Sequence, residues 1–280
     1  MSEPLSQIES YNLQPFYKLL ERHVGIALDS SKEYLVVARL TPIAKVNQFE
    51  DYIELLKFLE QNPVGDLHWT CFEALTTNET FFFRDVHPFE ALRTHVLPDL
   101  IQAKRTLKEL HIWSAAASTG QEPYSLAMLM KENFPELNSW KLNITATDIS
   151  QSVLDKAKSG VYNQTELQRG LSADQIRRYF TRLPNGNYVI IDDLKKMIKF
   201  DTINLVQSWP VMPKFDLILM RNVMIYFNQA TKIDLIKKVH RQLADKHSAL
   251  MLGSSESILF DTTFQVVQLP KVSYYKKILG

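Results

Sequence analysis

The residues best suited to chemistry sit in short clusters, most of them where a strand-like run ends. Residues 110–114 form such a run, and Ser114-Ala115-Ala116-Ala117-Ser118-Thr119-Gly120-Gln121-Glu122-Pro123 follows it. Small side chains let a backbone approach a ligand, and the start of a following helix favours a negative group. The segment is not GxGxxG, so a pyrophosphate site is poorly supported, and a plain strand-to-helix turn fits it too. Residues 142–147 end in Asp148-Ile149. An acid there suits the two hydroxyls of a ribose, and a helix start explains it equally well. Asn204-Leu205 closes a third run, residues 198–203. Arg221-Asn222-Val223-Met224-Ile225-Tyr226-Phe227 closes the fourth, residues 215–220. A charged residue at the end of a buried apolar strand is costly unless it has partners, which favours a site. Upstream lies Thr76-Thr77-Asn78-Glu79-Thr80-Phe81-Phe82-Phe83-Arg84-Asp85. Its aromatics and Arg84 suit covering a nucleoside and presenting a cation. An aromatic core stripe with a solvated arginine is the alternative.

Strands must end at these clusters and helices must follow them. The spacing predicts helices over residues 14–23, 49–61 and 67–75, with Asn62-Pro63-Val64-Gly65-Asp66 as punctuation. Residues 32–40 are ambiguous, because Tyr34, Leu35, Val36 and Val37 are strand-like in isolation. A helical domain over residues 1–75 is expected, and a second domain over 76–280. In the second, strands alternate with helices: one starting near Pro123, one capped by Ser150 and ended by Gly160, one capped by Asn228. A fifth strand is expected at 248–252. This alternation means a parallel sheet covered on both faces. Leu183-Pro184-Asn185-Gly186-Asn187 between apolar runs marks a hairpin, hence a small β insertion at about 179–200. Residues 263–267 and 273–278 read as an antiparallel pair closing the sheet, where a dehydrogenase sheet more often continues parallel.

Composition sets limits. The chain has 280 residues, 45% hydrophobic and 22% charged, the balance of a soluble globular protein. Lys and Arg number 32 against 31 Asp and Glu, so the footprint of a general nucleic-acid binder is missing. Cys71 stands alone, which excludes an internal disulfide and suits a reducing compartment. Residues 1–10 carry Glu3 and Glu9 and no apolar run, unlike a signal peptide. No stretch approaches the ~20 apolar residues that span a bilayer, so direct membrane insertion is not expected and the cytoplasm is the expected location.

The clusters, taken in order, resemble the CheR chemotaxis methyltransferases. The resemblance rests on Thr76 to Thr80 through Arg84, Trp113-Ser114 to Ser125, Ala146-Thr147-Asp148, Asn204-Leu205, Arg221 to Phe227, and Gly253-Ser254-Ser255-Glu256-Ser257. Six ordered motifs are far more specific than any one. The resemblance implies an α/β fold: a class I methyltransferase, Rossmann-like sheet with antiparallel C-terminal strands, a small β-subdomain and an N-terminal all-helical domain. It implies S-adenosyl-L-methionine as cofactor and S-adenosyl-L-homocysteine as product. It places Asn78, Thr80, Arg84, Glu122, Asp148, Asn204, Leu205, Arg221 and Asn222 at the cofactor. Asp148 would hold the ribose and Glu122 would face the methionine ammonium. Arg84 and Tyr226 would be catalytic, Tyr226 beside the transferred methyl.

The implied activity is esterification of glutamate side chains on the cytoplasmic helical region of chemoreceptors. An acceptor glutamate, with a reference pKa of about 4.3, is already ionised and needs no general base. The chain departs from the family's usual pattern at Ala116, where many members have Gly, at Gln121 for Glu, and at Ser254 for His. The receptor-contacting helix of related enzymes is arginine-rich. The matching stretch here, Arg39 to Lys45, is less basic and interrupted by Pro42. The hairpin is short, so no tether to a receptor's C-terminal pentapeptide is expected. The alternative is an S-adenosylmethionine-binding signalling or scaffold protein without transfer activity.

Overall fold

The computed structural model describes residues 11–278. Residues 1–10, where the acidic N-terminal stretch lies, are outside the described residues. The chain divides into two compact units.

The first unit runs to Thr77 and includes Tyr226–Asn228. Its helices are α1 (Gln14–Val24), α2 (Glu33–Val46), α3 (Tyr52–Gln61) and α4 (Asp66–Leu75). The segment that looked strand-like is the first half of α2. Val36, Leu40 and Ala44 recur every fourth residue and are buried, and this helical burial overrides the local β-branched preference. Pro42 does not interrupt the helix. It lies on the exposed side, and Thr41 Oγ1 donates to the Val37 carbonyl at 2.7 Å one turn back. The Arg39 guanidinium caps α4, donating to the carbonyl of Thr76 at 2.8 Å. His68 is buried, with Nε2 on the Leu59 carbonyl at 2.8 Å and Nδ1 accepting the Gly65 amide at 3.2 Å. Burial pushes the Cys71 thiol up to about 12, as suits a small core residue. Ile26 and Phe227 form an antiparallel bridge, and Asn228 donates to Glu21.

The second unit comprises Asn78–Ile225 and residues from Gln229 onward. It opens with the short helices α5 (His87–Ala91) and α6 (Leu97–Lys104). The order β1 (Glu109–Ala115), α7 (Gln121–Asn133), β2 (Lys141–Asp148), α8 (Gln151–Ser159) follows. Next come β3 (Val161–Tyr162), α9 (Gln164–Gln168), α10 (Ala173–Tyr179), β4 (Phe180–Arg182), β5 (Tyr188–Ile190) and α11 (Asp192–Lys195). The chain ends with β6 (Ile198–Thr202), β7 (Leu217–Met220), α12 (Gln229–Gln242), β8 (Ala249–Leu252), β9 (Phe264–Leu269) and β10 (Val272–Lys277).

Seven strands form one sheet in the order β6-β2-β1-β7-β8-β10-β9. The first five are parallel, and β10 enters antiparallel between β8 and β9. This is the class I methyltransferase fold. All four residues of β7 and of β8 are buried, as expected of strands covered on both faces. Helix α7 begins at Gln121, two residues before Pro123, and is buried almost all round. Ser150 caps α8 by accepting the Val153 amide at 3.3 Å, and Gly160 ends it.

The insertion is a second sheet, β3-β5-β4. It is not confined to residues 179–200: its outer strand, β3, comes from Val161–Tyr162, and Ile198–Phe200 belongs to the main sheet. A two-residue strand has no period to read, and its partner β5 is distant in sequence. The hairpin itself lies where the turn residues put it, with the Leu183 amide on the Asn187 carbonyl at 2.8 Å.

Candidate cofactor site at the carboxyl edge of the sheet

The carboxyl ends of β6, β2, β1, β7 and β8 lie side by side. The chain leaves β1 toward β2 and returns later through β7 on the other side, so the switch point falls between β1 and β7. Open α/β sheets bind ligands there.

Asp148, the last residue of β2, is buried. One carboxylate oxygen accepts the Ser118 amide at 2.8 Å, the other the Ser150 amide at 3.0 Å. These two bonds fix the orientation of the carboxylate at the end of β2. The Ser118 hydroxyl donates to the Asn78 carbonyl at 2.8 Å, tying the segment that enters this unit to the loop after β1.

Glu122 stands in the first turn of α7. Its carboxylate accepts the Ser114 hydroxyl at 2.8 Å and Arg221 Nη1 at 2.9 Å. The Arg221 side chain is 2% exposed. Its other terminal nitrogen donates to the Arg84 carbonyl at 2.7 Å and to Asp85 at 2.9 Å. The arginine that ends a buried apolar strand therefore has two acids and a carbonyl, as its desolvation requires. Its Nε is buried and without a hydrogen-bond partner. Asp85 is presented by a tight three-residue turn: its carbonyl accepts the His87 amide, and Val86 between them has φ 39°.

The Arg84 guanidinium is half-buried. It donates to the Glu79 carbonyl at 2.6 Å and lies 5.7 Å over the Phe81 ring. The Glu79 carboxylate pairs with Arg169 instead, at 2.6 Å, which holds it below the usual carboxylate range. Thr80 lies half-buried between Glu79 and Phe81. Asn204 follows β6 and turns the chain by accepting the Val206 amide at 3.1 Å, with Leu205 buried beside it. Asn222 has φ 58°, and its amide donates to Glu256 at 2.7 Å. Tyr226 closes the short turn Met224–Tyr226, and its carbonyl accepts the Ala27 amide at 2.9 Å within the helical unit.

Hydrogen bonds thus join Asn78 to Asp148 through Ser118, and Arg84 to Glu122 through Arg221. Asp85, Ser114, Ser118 and Glu256 are the residues that reasoning on sequence missed.

Residues 78–273 match the family model of the CheR methyltransferase SAM binding domain, and residues 12–76 that of the CheR methyltransferase all-alpha domain. The chain belongs to the CheR methyltransferase family. It is 38% identical over 268 residues to chemotaxis protein methyltransferase 1 of Pseudomonas aeruginosa, covering 94% of this chain and 96% of that one. It is 38% identical to chemotaxis protein methyltransferase 1 of Vibrio cholerae, covering 90% of each. Its identity to the chemotaxis protein methyltransferase of Borreliella burgdorferi is 36%, covering 88% of each. This CheR protein is therefore an S-adenosylmethionine-dependent methyltransferase of chemotaxis.

The edge fits that cofactor. Asp85, Glu122, Asp148 and Glu256 set four carboxylates against two guanidinium groups, Arg84 and Arg221, a formal excess of negative charge. S-adenosylmethionine carries a sulfonium and an ammonium against one carboxylate, a net cation. No helix among the described residues is long and apolar enough to cross a membrane.

Proposed function

We propose that this CheR protein methylates glutamate side chains in the cytoplasmic helical region of methyl-accepting chemotaxis receptors. In this reading residues 1–75 meet the receptor and residues 76–280 carry the transfer, in the cytoplasm. Asp148 takes the ribose hydroxyls and Glu122 the methionine ammonium. Asn78, Thr80, Asn204, Leu205, Arg221 and Asn222 line the remainder. When bound, S-adenosylmethionine supplies an electrophilic methyl group on sulfur. Arg84 receives the acceptor carboxylate, and Tyr226 orients it.

One observation carries the reading. Arg221 grips the Arg84 carbonyl at 2.7 Å with one terminal nitrogen and Glu122 at 2.9 Å with the other. A single buried guanidinium therefore fixes the backbone of the acceptor cation relative to the acid expected at the methionine end. Alignment of this kind supplies on the order of 7–11 kcal/mol in favourable cases, and a pre-ionised carboxylate asks little else of the protein. Arg84 must not bind it too well in the ground state, since only interactions that strengthen in the transition state raise turnover. Its carbonyl and aromatic partners leave the guanidinium with moderate attraction to spare.

Receptor docking is weakly basic in this reading, because Arg39 caps α4 and leaves Lys45 as the cation of that stretch. The hairpin loop spans only Leu183 to Asn187, which supports docking without a pentapeptide tether. The test is incubation with labelled cofactor and membranes bearing candidate receptors. Alkali-labile label on the receptor is the expected result. Cofactor binding without label, or alkali-stable label, would refute the proposal. Receptor tail peptides should show no binding.

A further inference from the structure

Glu256 lies three residues past Gly253, in the turn that leaves β8. Its carboxylate accepts four backbone amides. One oxygen takes those of Gly253 and Asn222, both at 2.7 Å. The other takes Val223 at 2.9 Å and Met224 at 2.7 Å. Three of the four are consecutive residues of the segment that leaves β7. Asn222, at φ 58°, has the left-handed setting that turns successive N–H groups toward one point. Such a concavity binds anions. Here the anion is a side chain from the turn beside it. Gly253 makes the room: a Cβ there would stand 2.7 Å from the Glu256 oxygen and 2.9 Å from the Asn222 nitrogen. Glu256 also lines an open cleft of about 570 Å³, with Asp85, Ser254 and Tyr275, so the carboxylate is reachable from solvent.

We infer that Glu256 is a positioning residue for the cofactor site. It locks Asn222, Val223 and Met224 into one rigid segment, so that Asn222 meets S-adenosylmethionine in a single pose. The inference rests on the assignment of Asn222 to the cofactor. An amide cannot replace this carboxylate. Glutamine offers one acceptor oxygen, and its NH2 group would oppose two N–H donors.

The test compares wild type with Glu256→Ala, Glu256→Asp, Glu256→Gln and Gly253→Ala by calorimetric titration with S-adenosylhomocysteine and by hydrogen exchange over residues 221–225. Glu256→Ala and Glu256→Gln should weaken binding about tenfold and speed exchange at residues 222–224. Acetate, which fits the space vacated by alanine, should restore both toward wild type and leave wild type unchanged. Glu256→Asp should fall between. Gly253→Ala should match the loss but resist acetate, because its methyl obstructs the cradle. Unchanged exchange in Glu256→Ala, or a loss that acetate leaves untouched, overturns the inference. Neither readout uses a receptor. A wild type that binds cofactor yet esterifies no receptor therefore refutes the proposed function alone, and the acetate rescue still decides Glu256.

Discussion

Replacing Arg221 by methionine removes the charge and keeps much of the side-chain volume. It strands Glu122, whose side chain is 11% exposed, and Asp85, which is 31% exposed. Two charge-assisted bonds at 2.9 Å and one carbonyl bond at 2.7 Å are lost. Truncating one partner of a buried ion pair costs about 3–5 kcal/mol, mostly as the penalty of leaving the other charge unpaired. Asp85 is the more solvated acid, so its share shrinks by screening, and Glu122 dominates. The expected loss is about 3–4 kcal/mol, a lowering of Tm of roughly 10 °C for a domain of this size. Calorimetric unfolding or a urea titration measures it. Arg221→Met combined with Glu122→Gln removes both ends of the main pair. It should cost less than the sum of the single changes, by ~0.5–3 kcal/mol, as expected of residues in contact. A loss below about 1 kcal/mol for Arg221→Met would refute the claim that this guanidinium holds the edge together. Strict additivity in the double variant would refute its pairing with Glu122.

Other outcomes follow from the same geometry. Arg84→Ala and Tyr226→Phe should each lower methyl transfer, by about 10–100-fold if alignment is what they supply, and normal transfer by both would remove their assignment. Gly170 has φ 115°, and a Cβ there would lie 1.9 Å from the Phe82 carbonyl oxygen, so Gly170→Ala should destabilise by well over ~1 kcal/mol in a thermal melt. Burial acts to raise the Asp245 carboxyl, but the hydrogen bonds from Lys104 and the His247 amide outweigh it and hold it below the usual carboxylate range. A carboxyl lowered by folding contributes stability that is present above its unfolded pKa, about 3.9, and lost as pH falls through the folded value. Asp245→Asn should flatten that acid limb of the stability profile, and an unchanged limb would exclude the pair as its source.

What was legible in the sequence was whatever depends on near neighbours or on burial over both faces. The run ending at Met220 reads correctly because a strand covered on both sides is apolar throughout, and those ending at Ser114 and Thr147 lie within β1 and β2. The Asn185-Gly186 hairpin and the Ser150 cap are local chemistry and sit where they were expected. Helix α2 was obscured because Tyr34 to Val37 favour a strand locally, while the fourfold spacing that buries Val36, Leu40 and Ala44 is satisfied only in the folded unit. Strand β3 was invisible for a related reason: Val161–Tyr162 exists only through pairing with β5. The site divides the same way. Residue types at strand ends announced Asp148 and Arg221. The identity of their partners, Ser118 and Asp85, needed the positions of segments far apart in sequence.

Ala116 stands in a backbone setting that disfavours a side chain. Nine described non-glycine residues have positive φ, and six of them belong to this edge: Phe83, Asp85, Val86, Ala116, Ser118 and Asn222. Strain of this kind persists where surrounding bonds over-determine it, and it gathers at functional sites. Ser118 and Asn222 are held by their amide bonds to Asp148 and Glu256. Ala116, at φ 58°, has a methyl group in a setting that glycine adopts freely. An L-residue incurs about 1–2 kcal/mol in that setting. Glycine would avoid this but lose about 0.4–1 kcal/mol through the greater freedom of its unfolded chain. The balance predicts that Ala116→Gly stabilises the protein by roughly 0.5–1 kcal/mol, read as a rise in the urea midpoint at unchanged slope. A fall in the midpoint would mean that the Ala116 methyl packs well enough to outweigh its backbone, and that the loop after β1 is not strained there.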